Sequence, residues 1–524
     1  MAETSPTETV ERRPSRRVII GAQIALVLAL AVWLLVLKRD LGWPGEWAIP
    51  VYGPIYPISF LLPPVLALLG FAGLLAHLWR SMRREKVASH RRALAWSIAF
   101  GLSVGAWCMQ VALWSVAPES VSRLAAIQLS DISTGYLSEA MTIRDPWEYL
   151  REYAQEMPRK PEHVATHPPG AVLFFYAVRR LGDAIPSLNR LAMSSGSTAV
   201  GLSITELAAE VVRYPTVTWH GAEGLAAAML SSWLLGAAGA LMPLVIFGAL
   251  REPLGPERAL AAAAVLALTP SMLFYFPTLV MLIALASSLM LAALVATQRH
   301  WAWAAVAGLI AAAALFVSLG ALALVALGGI FLLLRAARQA GQSADAAWSD
   351  TRSMLVPPLA FGAGLLVGVG LWYAPGVDAL TVMSAGLGTH SELTGIASFR
   401  SYGIWVWLNF VEFGVFLGLP LAVLAAASAP RIIRTLRRTS SRALVAYLGA
   451  AALLTLLLLD ITGTVRGETG RIWLFFAPWL AAAAAPALMD EAGTRWRLLA
   501  LTIALTALQL LLMAETMQPI MRPY

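Results

Sequence analysis

The side chains Asp131, Glu139, Arg144, Asp145, Glu148, Arg151, His163 and His167 crowd into one polar stretch of an otherwise apolar chain. Ionisable groups beside long apolar runs are expensive to keep and usually mark a site. A carboxylate at such a boundary can serve as a general base. It must be ionised and within about 3 Å of the hydroxyl whose proton it takes, and desolvation and a nearby arginine can tune it. Asp131 leads the stretch, directly beyond an apolar run, which separates it from an ordinary solvated loop acid. His167 precedes Pro168-Pro169-Gly170, whose backbone restrictions aim the preceding side chain. A histidine so placed suits phosphate binding or proton carriage, and capping of the next helix is an equal alternative. His163 and His167, four apart, have a metal-ligand spacing but no HExxH pattern, so no metal is assigned and a divalent ion stays open.

A second polar island runs from Thr464 to Arg471 and carries Arg466, Glu468 and Arg471. Arginine suits a phosphate or diphosphate leaving group, because its planar fork meets the oxygens bidentately and stays charged. Anchoring at lipid headgroups is the competing role. Arg400 and Glu412 are further candidates for the same pocket. The glycines form no Walker loop and no dinucleotide fingerprint, which leaves soluble nucleotide binding without support.

The elements that must hold these groups are membrane helices. Hydrophobic residues make up 59% of the 524-residue chain and charged residues 13%, with a mean hydropathy of +0.70, and apolar runs of about 17 to 25 residues recur from Val18 onward. Lipid leaves backbone amides no water, so each run is expected to be helical, and no ten-residue alternation points to a barrel. The formal charge of +8 resides in short connectors, where it reads as a topology signal rather than a nucleic-acid surface. Arg12, Arg13, Arg16 and Arg17 precede the first run, Val18 to Leu37, which is read as a retained span rather than a signal peptide. Alternation then places the basic connectors around Arg80 to Arg92, Arg251, Arg258, Arg299, Arg335 to Arg352, Arg431 to Arg442 and Arg495 on the cytoplasmic side. The result is an all-α, multi-pass bundle of about 13 transmembrane helices with a cytoplasmic N-terminus. The single cysteine, Cys108, permits no internal disulfide.

Residues 1–17 form the expected cytoplasmic tail, 18–92 two N-terminal spans joined by a Trp- and Pro-rich outer connector, and 93–524 the main membrane domain. Within it, 118–223 is a long extracytoplasmic loop, and loops of that length inside a compact bundle are commonly functional. Asp145-Pro146 reads as a helix start. Ala171 to Val178 reads as a short interfacial helix closed by Arg179 and Arg180. Leu188 to Val212 reads as either a surface helix or a mobile segment. Outer loops are expected at Ala374 to Ser401 and Ile461 to Arg471. Ala- and Gly-rich runs such as Ala259 to Ala267 and Ala302 to Ala314 permit close helix approach.

The order of these pieces, a span, an outer-loop Asp131 followed by Tyr136 and Glu139-Ala140, then His167-Pro168-Pro169 leading into Leu173 to Gly182, resembles the first external loop of the GT-C glycosyltransferases. The parallels are the dolichyl-phosphate-mannose protein mannosyltransferases and the aminoarabinose lipid A transferases. Thr269 to Pro277 resembles a later hydrophobic signature. The resemblance implies an enzyme that moves a sugar from a polyprenyl-phosphate donor to an extracytoplasmic acceptor at the cell membrane, without nucleic acid. It implies Asp131 as the base, His167 in the HPP element near the donor, and Arg466 or Arg471 at the lipid phosphate, and His163, Arg144 and Glu468 are counted with these as substrate-binding candidates. The chain departs from that pattern at Val280, where the family often has Asp, at Ile132, where an acidic pair is often seen, and in its two added spans. A transporter or flippase of a lipid-linked substrate is the rival reading, and an inactive scaffold a third. Ionisable groups gathered at one face rather than along the spans favour interfacial chemistry.

Overall fold

A computed structural model describes residues 16–53, 58–116, 119–340, 348–394, 400–437, 443–489 and 496–517. Arg12, Arg13, Pro118, Arg495 and the end of the Arg431 to Arg442 connector lie outside them. The protein is an all-α membrane protein. Among the described residues, 10 helices are long and apolar enough to cross a bilayer, from Arg16–Leu37 at one end of the chain to Trp496–Thr516 at the other. Shorter apolar helices, Val280–Ala296, Ala302–Val317 and Tyr402–Leu417 among them, fill the spaces between.

Small side chains set the core. Every residue of Ala259–Leu268 is buried where Pro256–Ala267 packs on Gly221–Leu254 and Ala477–Leu488. Ala302–Val317 lies against Trp348–Gly370 so closely that a Cβ on Gly308 would sit 2.1 Å from the Phe361 carbonyl oxygen. That contact is backbone on backbone, the packing that small residues allow where lipid supplies no hydrophobic drive.

The basic connectors converge at one end of the bundle. Glu252 pairs with Arg251 at 3.2 Å and with Arg299, and Glu257 pairs with Arg91. Arg258 donates to the Met489 carbonyl at 3.2 Å, and Arg338 to those of Thr435 and Leu436 at 3.3 and 2.9 Å. Several of the connectors whose charge was read as a topology signal are thus joined to one another.

The two N-terminal spans are woven into the bundle rather than appended to it. Buried Gln23 donates through Nε2 to the Pro420 carbonyl at 3.0 Å and to Thr502 Oγ1 at 3.1 Å, which ties the first helix to Leu419–Arg437 and Trp496–Thr516. Beyond it the chain forms a two-stranded antiparallel hairpin, Leu41–Trp43 with Trp47–Ile49. A side chain on Gly42 would lie 2.3 Å from the Trp47 carbonyl oxygen, so the hairpin closes only with glycine there.

The long region expected to be extracytoplasmic is mostly helical: Ser120–Leu129, Tyr136–Thr142, Pro146–Glu156, Gly170–Ala184, Pro186–Val200 and Ile204–Val212. Asp145 caps as expected, accepting from the Trp147 amide at 2.8 Å. Arg179 and Arg180 do not close their helix, which continues to Ala184. The Arg179 guanidinium turns sideways instead and donates to the carbonyls of Met141 and Ile143, each at 3.0 Å. Leu188 to Val212 resolves into two helices broken at Gly201, which adopts φ 67°, and restarted by a capping box between Ser203 and Glu206. The expected outer loop from Ala374 contains the helix Ala379–Thr394, begun by Asp378, which accepts from the amides of Leu380 and Thr381.

Candidate functional site

Asp131 sits in a tight turn after Ser120–Leu129, and that turn is locked by a distant segment. Ser130 Oγ accepts from the Ser133 amide at 3.1 Å and donates to Thr216 Oγ1 at 3.0 Å. Ser130 also bridges Val217, and the Thr218 amide donates to the Leu129 carbonyl at 3.0 Å. These bonds bring Thr218 Oγ1 to 2.5 Å from Asp131 Oδ2. Among the described residues this is the only hydrogen bond of the carboxylate, which remains half-buried. His220 follows two residues later. Burial holds its imidazole below the ordinary value, against the opposite pull of Asp131 and Glu223. It is therefore neutral at neutral pH, and its buried Nε2 has no hydrogen-bond partner among the described residues. Thr218 and His220 escaped the sequence reading because they lie about ninety residues from Asp131 with no local pattern to link them.

The histidines surround an aromatic floor. The buried Tyr136 ring lies 5.6 Å from that of His167 and 6.5 Å from that of His163, and stacks on Phe175 at 6.2 Å. Tyr153 Oη donates to the backbone carbonyls of His167 at 2.7 Å and Val164 at 3.0 Å, while Thr166 Oγ1 meets His167 Nδ1 at 3.1 Å. Gly170 ends the motif because a Cβ there would meet the Phe316 carbonyl oxygen at 2.2 Å. Among the described residues no group of three or more His, Cys, Asp or Glu side chains is placed to hold a metal ion. Glu139 is occupied by Lys160 at 2.5 Å, with that ammonium 4.9 Å above the Tyr149 ring, so it is a poorer base than Asp131. Arg144 is set apart from the histidines and lines a cavity of about 600 Å³ with Arg179 and Arg180.

The second island is cross-tied. Arg466 donates to the carbonyls of Arg400 at 2.5 Å and Gly463 at 3.0 Å and lies over the Tyr402 ring, while Arg400 donates back to the Arg466 carbonyl. Glu468, in the left-handed conformation at φ 59°, pairs with Arg471 and lies 4.0 Å from Arg400. Beneath them buried Asn409 donates to Asp460 Oδ1 and the Val465 carbonyl, each at 2.8 Å, and accepts from the Gly467 amide at 2.9 Å. Glu412 accepts from the Gly470 amide at 3.2 Å, and its Oε2 is buried without a hydrogen-bond partner among the described residues. Trp47 is a platform for Arg400, whose guanidinium lies 5.0 Å from its ring. Its neighbour Glu46 accepts from the Ser401 amide and hydroxyl and the Trp405 indole at 2.8, 2.5 and 2.7 Å.

The Thr269 to Pro277 segment joins the two islands. Gln128, at the end of the helix leading to Asp131, donates to the Pro277 carbonyl at 2.7 Å, and Ser271 donates to the Gly470 carbonyl at 2.6 Å. The charge of Arg471 acts on both the Tyr136 and the Tyr275 phenols.

Comparison of the chain with protein-family models, with characterised proteins and with solved structures yields no match.

Proposed function

We propose that this protein is a membrane glycosyltransferase that transfers a sugar from a polyprenyl-phosphate donor to an extracytoplasmic acceptor in the cell envelope. The observation that carries the reading is the half-buried Asp131 carboxylate, held by a single hydrogen bond from Thr218, with His167 packed against the Tyr136 ring on the same loop. In the proposed reaction Asp131 takes the proton of the acceptor hydroxyl as its oxygen bonds to the anomeric carbon. The bond from that carbon to the phosphate oxygen breaks, and polyprenyl phosphate leaves with the electron pair. Thr218 orients the carboxylate, and Arg471 meets the phosphate charge in a site whose dipoles are already aligned. Arg466, with its fork turned onto two backbone carbonyls, shapes the loop rather than holding substrate.

The proposal takes the polar end as extracytoplasmic and the N-terminus as cytoplasmic. Thirteen crossings follow if Pro256–Phe274, Val280–Ala296 and Ala302–Val317 each cross and Tyr402–Leu417 continues into Leu419–Arg437. A second reading, a flippase of a lipid-linked substrate, draws on the helix break at Gly418 and on buried Glu412 and Asp460. Purified protein incubated with a polyprenyl-phosphate sugar separates the two: release of polyprenyl phosphate supports transfer, and an intact donor argues against it.

A further inference from the structure

The cavity of about 600 Å³ that Arg144 lines is a different place from the pocket proposed for the donor, since Asp131, the histidines and Arg471 take no part in its wall. Its size falls within the range of small-ligand sites. Three guanidiniums, Arg144, Arg179 and Arg180, face two carboxylates, Asp183 and Glu223. The carboxylates already have partners: Arg180 lies 3.5 Å from Asp183, and Arg179 Nε lies 3.9 Å from Glu223. Arg144 has none, making no hydrogen bond or ion pair among the described residues. The Nε of Arg179 is buried and, at 3.9 Å from Glu223, beyond hydrogen-bond distance of any acceptor among the described residues. Its two Nη atoms are held by the Met141 and Ile143 carbonyls, and its plane lies 5.1 Å over Tyr176, so the group is rigid. The cavity thus has one uncompensated positive charge, one free fork and one preset donor.

Leu181 and Ile185, on either side of Asp183 in the chain, are 37% and 43% exposed, and Trp147, three residues after Arg144, is 59% exposed. Exposed Trp, Leu and Ile beside arginines match the boundary between headgroups and acyl chains. We infer that this cavity binds a phosphate group, with Arg144 as its principal ligand, and that the exposed Trp147, Leu181 and Ile185, close to the lining residues in the chain, receive the chains of the lipid that carries it. The inference does not depend on the glycosyltransferase reading, because a flippase with the same cavity would bind the same group.

The test uses the full-length protein in phosphatidylcholine nanodiscs doped with phosphatidic acid, with retained lipid read by native mass spectrometry. Wild type should retain phosphatidic acid over phosphatidylcholine. Arg144→Gln should weaken that retention about tenfold, the usual effect of losing a charge-assisted fork, and Arg144→Glu should abolish it. Arg213→Gln, at an exposed pair with Glu210, should change nothing. Inorganic phosphate added as competitor distinguishes the source. Failure to displace the lipid supports a lipid phosphate, and displacement supports a water-soluble phosphate compound at the same ligand. Equal retention of the two lipids by wild type, or wild-type retention by both Arg144 variants, overturns the inference.

Discussion

Asp131 and the Arg466 to Arg471 island are both charged sites at the polar end of the bundle, yet they are built in opposite ways. Asp131 is half-buried and held by one hydroxyl, its second oxygen making no hydrogen bond among the described residues. The island ties most of its groups to one another: arginines cross-tied through backbone carbonyls, Glu468 between two guanidiniums, Asn409 beneath with three hydrogen bonds. A group that must exchange a proton needs a spare lone pair. A group that must meet a phosphate charge without rearranging needs to be immobilised beforehand. On the proposed function the difference between the regions is one of task, and substitutions in them should then fail in different ways.

The largest separation is expected at Asp131. Asp131→Asn keeps the Thr218 contact but cannot take a proton, so turnover should fall about 10²- to 10⁴-fold while the melting transition barely moves. A melt that falls with the activity would make Asp131 a structural residue. Asn409→Leu should behave in the opposite sense. It leaves the Asp460 carboxylate and the Gly467 amide without partners in a buried place, a loss of about 3 kcal/mol. Thermal unfolding of the detergent-solubilised protein checks it, and an unshifted transition would show that the island is not cross-braced.

Arg471→Ala should raise the KM for donor about tenfold with a smaller change in kcat, and Arg471→Lys should recover part of the loss, supplying charge without the fork. Equal donor KM in wild type and Arg471→Ala would remove the phosphate from the island. The smallest effect concerns the hairpin strap. Hydrogen bonding by the Ser401 hydroxyl, then the Ser401 amide and the Trp405 indole, holds the Glu46 carboxyl below its ordinary 4.5, against some desolvation. A carboxyl depressed in the folded state stabilises it fully above 4.5 and loses that contribution as pH falls through the lower folded value. The stability gap between wild type and Glu46→Gln, measured by melts across pH, should be constant near neutrality and shrink only below 4.5. A gap that closes above that value would mean that the strap is held by something else.

The apolar spans were legible because length and hydropathy are local properties, and so was the Asp145-Pro146 cap, whose signal spans three residues. The capping box at Ser203 and Glu206 was equally local, yet the small, polar composition around Gly201 masked it. Arg179 was misread for a different reason: propensity assigns a terminal arginine to its own helix, whereas tertiary contact turned it toward the Met141 and Ile143 carbonyls. At the candidate site Asp131, the histidines and the arginines stood out as polar groups in an apolar chain. What they touch did not. Thr218 on Asp131, Lys160 on Glu139 and the N-terminal Glu46 on Ser401 are long-range pairings that no periodicity encodes.

The central claim is chemical transfer at the Asp131 loop, and the most direct measurement follows both halves of a donor labelled in its sugar and its polyprenyl phosphate, incubated with purified protein and a cell-envelope acceptor fraction. The account predicts that the sugar label moves to acceptor while free polyprenyl phosphate accumulates in equal amount, and that Asp131→Asn protein, normally folded, does neither. Donor that stays intact with the wild-type protein, whether or not it crosses the bilayer, would contradict it.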